Sequence, residues 1–211
     1  MLEANLSTFG VRSLPTYHFD KADVIVSFGA DFLGNWGSMD YSTQYAKGRN
    51  PKNKKMSKHY QIESTLTLTG SNADERIPIK PSEQAGLLFN LYNALNGKNS
   101  DNRITKIVSS LKSAKSSIVV CNSNDKDVQL LVNSINHKLR NYGSTIDMSN
   151  PSYLRKGNDE DVATLISDMN EKKIAALITY NVNPSYTLVN YNEFNTGLKN
   201  VGLKISTSLY M

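Results

Sequence analysis

The feature that most constrains this chain is a repeated switch in the period of its apolar residues. Short runs that are apolar on both faces alternate with segments whose apolar positions recur every three to four residues. Ala22 to Phe28 is a β-branched run that stops at Gly29, and Tyr60 to Glu63, Arg76 to Ile79 and Ser117 to Cys121 follow it. Ile174 to Thr179 and Val201 to Thr207 complete the series. Runs apolar on both faces suit interior strands of a parallel sheet. Pro78 within the third run predicts an edge or terminal position, because proline cannot donate to a ladder.

Helical segments lie between these runs. Residues 39–47 form one. A second starts with Ser82 as N-cap, carries Leu87, Leu88, Leu91 and Leu95 at helical spacing, and stops at Gly97. Further helices are predicted over 103–111, 125–139, 159–170 and 191–198; Val128, Leu131, Val132, Ile135 and Leu139 make the stripe of the second of these. Alternation of this kind predicts an α/β, Rossmann-like, doubly wound and mainly parallel sheet of about five to six strands, with helices on both faces. All 211 residues read as a single such domain, with an irregular, polar excursion at 141–158.

Composition narrows the function classes. Cys121 is the one cysteine and lies in an apolar run, where it behaves as a small hydrophobe. His18, His59 and His137 have no carboxylate or histidine at ligand spacing, so no metal site is expected. No apolar run approaches the roughly 20 residues of a membrane span, and Met1 to Val11 lacks the pattern of a signal peptide. The net charge of +5 gathers in Lys47, Arg49, Lys52, Lys54, Lys55, Lys58 and His59. That stretch reads as a solvated loop or, alternatively, as a surface for an acidic partner, lipid headgroups or phosphates.

In an open parallel sheet, ligands bind beyond the carboxyl ends of the strands. Three segments end strands in that way: Phe28 to Gly34, Glu63 to Thr65, and Tyr180 to Pro184. The first lacks the G-x-G-x-x-G fingerprint, which disfavours an ordinary NAD-type site. Gly29 permits either a tight turn alone or close approach of backbone to a ligand. Glu63 is either a ribose acceptor or a solvent-facing strand-end acid. The acids Asp159, Glu160 and Asp161 complement a helix start. No P-loop or G-x-S-x-G elbow is present, and no nucleophile and base are paired. The chain by itself is therefore expected to be non-catalytic.

Three stretches taken together resemble the molybdopterin oxidoreductase family. Ala22 to Asp31 is similar to that family's A-D-x-x-x-x-x-G-x-N strand and loop. Glu63 to Asp74, with Ile77 to Pro81 after it, is similar to D-P-R-x-T-x-T-x-x-x-A-D followed by P-I-R-P. Ala175 to Pro184 matches a strand ending in N-P. The wording is most similar to the branch of the family found in the large iron–sulfur subunit of alternative complex III. The resemblance implies that Gly29, Asp31, Glu63, Gln84 and Asn183 line the guanine end of a molybdopterin guanine dinucleotide.

The departures are Asp31 for asparagine, Glu63-Ser64-Thr65 for D-P-R, and Gln84 for a guanine-binding aspartate. An added acid and a missing arginine both oppose pyrophosphate binding. With them the resemblance implies a cofactor-less scaffold or interface domain, cut from a larger chain. The larger protein would carry its iron–sulfur clusters elsewhere. It would work in a membrane-associated respiratory electron-transfer complex that oxidises quinol, on the periplasmic face of the inner membrane. Its implied partners are the other domains of that chain and the subunits of the complex, with no nucleic acid expected. Two alternatives stand beside it: a genuine cofactor-binding domain of a molybdenum oxidoreductase, and a basic nucleotide or nucleic-acid binding module.

Overall fold

The computed structural model describes residues 1–53, 55–99, 101–153 and 155–208. Lys54 of the basic stretch and the last three residues lie outside them. The chain divides into two compact units, Met1–Lys156 and Gly157–Met211. The first runs α1 (Leu2–Phe9), β1 (Leu14–Tyr17), β2 (Val24–Phe28), α2 (Asp40–Gly48), β3 (Lys58–Glu63), α3 (Leu68–Ser71) and β4 (Glu75–Pro78). It continues with α4 (Gln84–Leu95), α5 (Thr105–Ser113), β5 (Ser117–Cys121), α6 (Lys126–Lys138) and β6 (Ile146–Ser152). The second holds α7 (Asp159–Asn170), β7 (Ala176–Thr179), α8 (Pro184–Thr187), α9 (Tyr191–Asn200) and β8 (Leu203–Ser206).

The mixed α/β architecture is Rossmann-like, but the expected sheet of five to six strands is corrected to four. They lie in the order β4-β3-β2-β5, all parallel, with Val26 opposite Tyr60 on one side and Val119 on the other. The two remaining apolar runs form a separate parallel pair, β7 and β8, in the second unit. The 141–158 excursion holds β6, which pairs antiparallel with β1. That pairing was hidden because Asp147, Ser149 and Asn150 break any apolar alternation.

Every position of β2 and β5 is buried, as both-face hydrophobicity requires. On one face Val24, Val26, Phe28, Ile62 and Val119 pack beneath α4, α5 and α6. On the other, Ile25, Ile118 and Val120 meet an aromatic layer that includes Phe19, Phe32, Tyr41 and Tyr45. Phe19 and Phe32 stack at 4.3 Å between ring centroids. Leu87, Leu88, Leu91 and Leu95 face the core as their spacing predicts, and Gly97 ends α4 region at φ 86°. Ser82 does not cap that helix. It lies within a short 3-10 turn, and the Glu83 carboxylate accepts from the Lys80 N–H at 2.9 Å instead.

Both edges of the four-stranded sheet are blunted. β4 is short and ends on Pro78. The outer edge of β5 is occupied by side chains of its neighbours. The Asn136 amide accepts from the Val119 N–H at 3.1 Å and donates to the Val119 carbonyl at 2.8 Å, as a strand partner would. Gln129 donates to the Cys121 carbonyl at 3.0 Å, and the Thr145 hydroxyl donates to that of Ser117. An open edge exposes unpaired backbone and invites foreign strands. Here it is closed from within.

Candidate functional site

The order β4-β3-β2-β5 places the reversal of strand order beside β2, the position where such sheets bind ligands. The structure brings Gly29, Asp31, Glu63 and Gln84 to this carboxyl edge and engages each of them internally. Gly29 adopts φ 69°, and a Cβ there would come within 2.7 Å of the Asn122 side chain. Glycine is thus required for both the left-handed turn and the packing of Asn122. Gln84 crosses the crevice between β2 and β5. Its Nε2 donates to Asn122 Oδ1 at 2.9 Å and approaches Cys121 Sγ at 3.1 Å. Burial raises the Cys121 thiol above its ordinary pKa, so it is no poised nucleophile.

Asp31 and Glu63 hold loops. Asp31 Oδ1 accepts from the Thr69 N–H at 3.0 Å and from the Thr69 hydroxyl at 2.7 Å, tying the loop after β2 to α3. Glu63 is buried, not solvent-facing. Its carboxylate accepts from Arg76 Nε at 2.6 Å, the Thr67 hydroxyl at 2.7 Å, the Thr67 N–H at 3.2 Å and Gln61 Nε2 at 3.1 Å. Burial pushes this carboxyl upward, but the donors from Arg76, Thr67 and Gln61 outweigh it and hold the pKa below its ordinary value. Gly70 is needed here as well, since a methyl at that position would overlap the Glu63 carboxylate.

A further group escapes a reading by residue type. His59, counted with the basic stretch, is instead fully buried in β3. Its Nδ1 lies 3.1 Å from the Tyr45 hydroxyl, which donates to the Asn72 carbonyl at 2.8 Å, and its Nε2 lies 3.4 Å from Gln61 Oε1. Burial lowers its pKa to about 4, so it is neutral at ordinary pH. The clue in the sequence is the alternation His59, Gln61, Glu63, three polar residues on one side of a strand. The basic stretch is also less free than its composition indicates. Arg49 pairs with Asp74, Lys55 with Asp23 at 3.3 Å, and Lys58 with Glu75 at 3.1 Å.

Asn183 belongs to the second unit. It sits beyond the carboxyl ends of β7 and β8, on the rim of a cavity of about 220 Å3. Beside it Asn181 adopts φ 51°, and its N–H donates to the Thr207 hydroxyl at 3.3 Å. The strands below present two unlike faces. Leu177 packs with Ile166, Met169, Phe194 and Val201. The opposite face, formed by Ala176, Ile178, Leu203 and Ile205 through the parallel register, is open. Among the described residues no group of three or more His, Cys, Asp or Glu could hold a metal, and no helix is long and apolar enough to cross a membrane.

Comparison with known proteins gives no family. No family model matches the chain, and no curated protein matches it. Among solved structures, the chain is similar to part of the formyltransferase/hydrolase complex FhcABCD from Methylorubrum extorquens, determined in complex with methylofuran. The two are 15% identical with a TM-score of 0.49, and the match covers 68% of this chain and 40% of that one. Likeness at this level carries nothing about activity.

These findings correct the expected family, and with it the functions drawn from it. The molybdopterin oxidoreductase resemblance rests on short strand and loop wording that no family model reproduces, and the similar solved structure is a formyltransferase/hydrolase complex. The molybdopterin, alternative complex III and respiratory electron-transfer readings fall with it. So do the two alternatives, the molybdenum-cofactor domain and the basic nucleotide or nucleic-acid module. The physical reason is visible in the motifs themselves. A-D followed by an apolar run and glycine describes a buried strand and its turn, and the acids Asp31 and Glu63 answer to neighbouring threonines and Arg76.

Proposed function

We propose that this chain is an assembly domain, whose role is to pack against a protein partner through the open face of β7 and β8. One observation carries the reading. Ile178 is 67% exposed, Leu203 55% and Ile205 43%, all on one face of a two-stranded parallel sheet, with Tyr180 at 80% just beyond. Parallel sheets are ordinarily covered on both faces, and two strands alone are marginal in water. The first unit shows how this chain treats edges that stay free, with Pro78 on one and Asn136 and Gln129 along the other. The β7–β8 pair has no such protection among the described residues, and β8 is exposed at all four positions.

The occupant that fits is a further strand with its covering helix, supplied by another domain or subunit, since it satisfies apolar face and backbone edge together. The internal hydrogen bonding of Asp31, Glu63 and Gln84 supports the same reading, in which the carboxyl edge of the first unit is structural. A photo-crosslinking residue at position 205, in cells that make the protein, tests it. One discrete protein adduct, lost on Ile178→Asp, is expected. Absence of any adduct, or a smear unchanged by Ile178→Asp, would sink the proposal.

A further inference from the structure

The cavity at the carboxyl end of β7 and β8 has a composition that selects a ligand, and it shares only Ile205 with the open apolar face. Its volume, about 220 Å3, is below the roughly 300–1,000 Å3 of drug-sized sites, which sets a small metabolite as the limit. Leu177, Phe194 and Leu198 contribute its apolar lining. Asn183, Lys204 and Ser206 line it too, with Lys204 beside Leu177 in the parallel register. Lys204 is the one charged residue of the lining and makes no ion pair among the described residues. The Asn183 carbonyl is taken by the Thr187 hydroxyl at 2.9 Å, while its side-chain amide has no partner among the described residues.

The position agrees with the composition. Loops beyond the carboxyl ends of parallel strands are where α/β sheets take ligands. The loop that carries Val182 and Asn183 to the rim starts at Asn181 in the left-handed region, a backbone state that costs free energy and needs support from its surroundings. The Thr207 hydroxyl supplies that support. A single cation, an amide donor and a hydroxyl next to apolar side chains suit an anionic head on a short apolar body. We infer that this cavity binds a small aliphatic carboxylate, with Lys204 and Asn183 on the carboxylate and the aliphatic part against Leu177, Phe194 and Leu198. A phosphate carries more charge than one lysine offsets and leaves the apolar lining unused, so it is the weaker fit.

Titration of the nitrogen-labelled full chain with isovalerate, its neutral amide isovaleramide, and inorganic phosphate tests the assignment by NMR. Isovalerate is expected to give saturable shifts at Thr179, Asn183, Lys204 and Ser206, with a dissociation constant on the order of 1 mM or tighter. The amide and phosphate should bind at least about tenfold more weakly, the loss expected when one charge-assisted contact or the apolar body is missing. Lys204→Met should weaken isovalerate by a similar factor, and Lys204→Arg should retain it. Shifts that fail to saturate, equal response to the amide, or phosphate binding as tight as isovalerate would each overturn the proposal. The ligand comparisons use the unaltered chain, so they decide the matter even if Lys204→Met disturbs β8.

Discussion

Gly29 shows how narrowly some single positions are set. It combines φ 69° with a Cβ vector aimed at Asn122, so Gly29→Ala adds backbone strain to a steric clash. The expected loss is about 1–3 kcal/mol in urea unfolding, with the fold retained. Glu63 has a larger role. Glu63→Ala removes the acceptor of Arg76, Thr67 and Gln61 together, and about 3 kcal/mol should be lost because a partly buried guanidinium is left unpaired.

His59 gives a pH signature. Its pKa falls from 6.5 to about 4 in the folded chain, first because of burial, with Arg49 also opposing the charge while Gln61, Asp74 and Glu63 favour it. The unfolded chain therefore takes up the proton first as pH falls. Stability is complete above the ordinary value and declines between pH 6.5 and about 4. The total is on the order of 3 kcal/mol. Urea unfolding at about pH 7.5 and about pH 5 should differ by about 2 kcal/mol of that total, and His59→Gln should remove most of the difference. Glu63 and Asp74, whose pKa values are depressed, lose their contributions at lower pH still.

At the scale of elements, the sequence was legible wherever burial acts on whole faces. β2 and β5 are largely apolar on both sides because helices or aromatics cover both sides, and α4 and α6 show their stripes for the same reason. β1, β6, α1 and α3 were not legible. β6 is held by backbone pairing and polar contacts, and α3 by the Thr67 cap, none of which leaves a hydrophobic period. Strand pairing was legible only in part, because β7 and β8 carry the same kind of apolar run as β2 yet pair with each other. The site residues were read by type and loop position. Their partners, Thr67, Thr69, Arg76 and Asn122, lie elsewhere in the chain, and spacing alone could not assign them. Asn136 belongs to this scale too. It takes the place of a strand along β5, so Asn136→Ala should leave the Val119 N–H and carbonyl unpaired. A cost of about 1–3 kcal/mol is expected, with faster amide exchange at Val119.

For the whole molecule, the two units differ in completeness. The first covers both faces of its sheet and closes both edges. The second covers one face of two short strands and leaves apolar side chains on the other, the observation on which the proposed assembly role rests. Amide hydrogen exchange on the purified chain tests that difference most directly. If the second unit awaits a partner, amides of 176–179 and 203–206 should exchange orders of magnitude faster than those of β2, β3 and β5, whose opening approaches global unfolding. Protection of β7 and β8 equal to that of the four-stranded sheet would mean the second unit is complete by itself, and would contradict the assembly role.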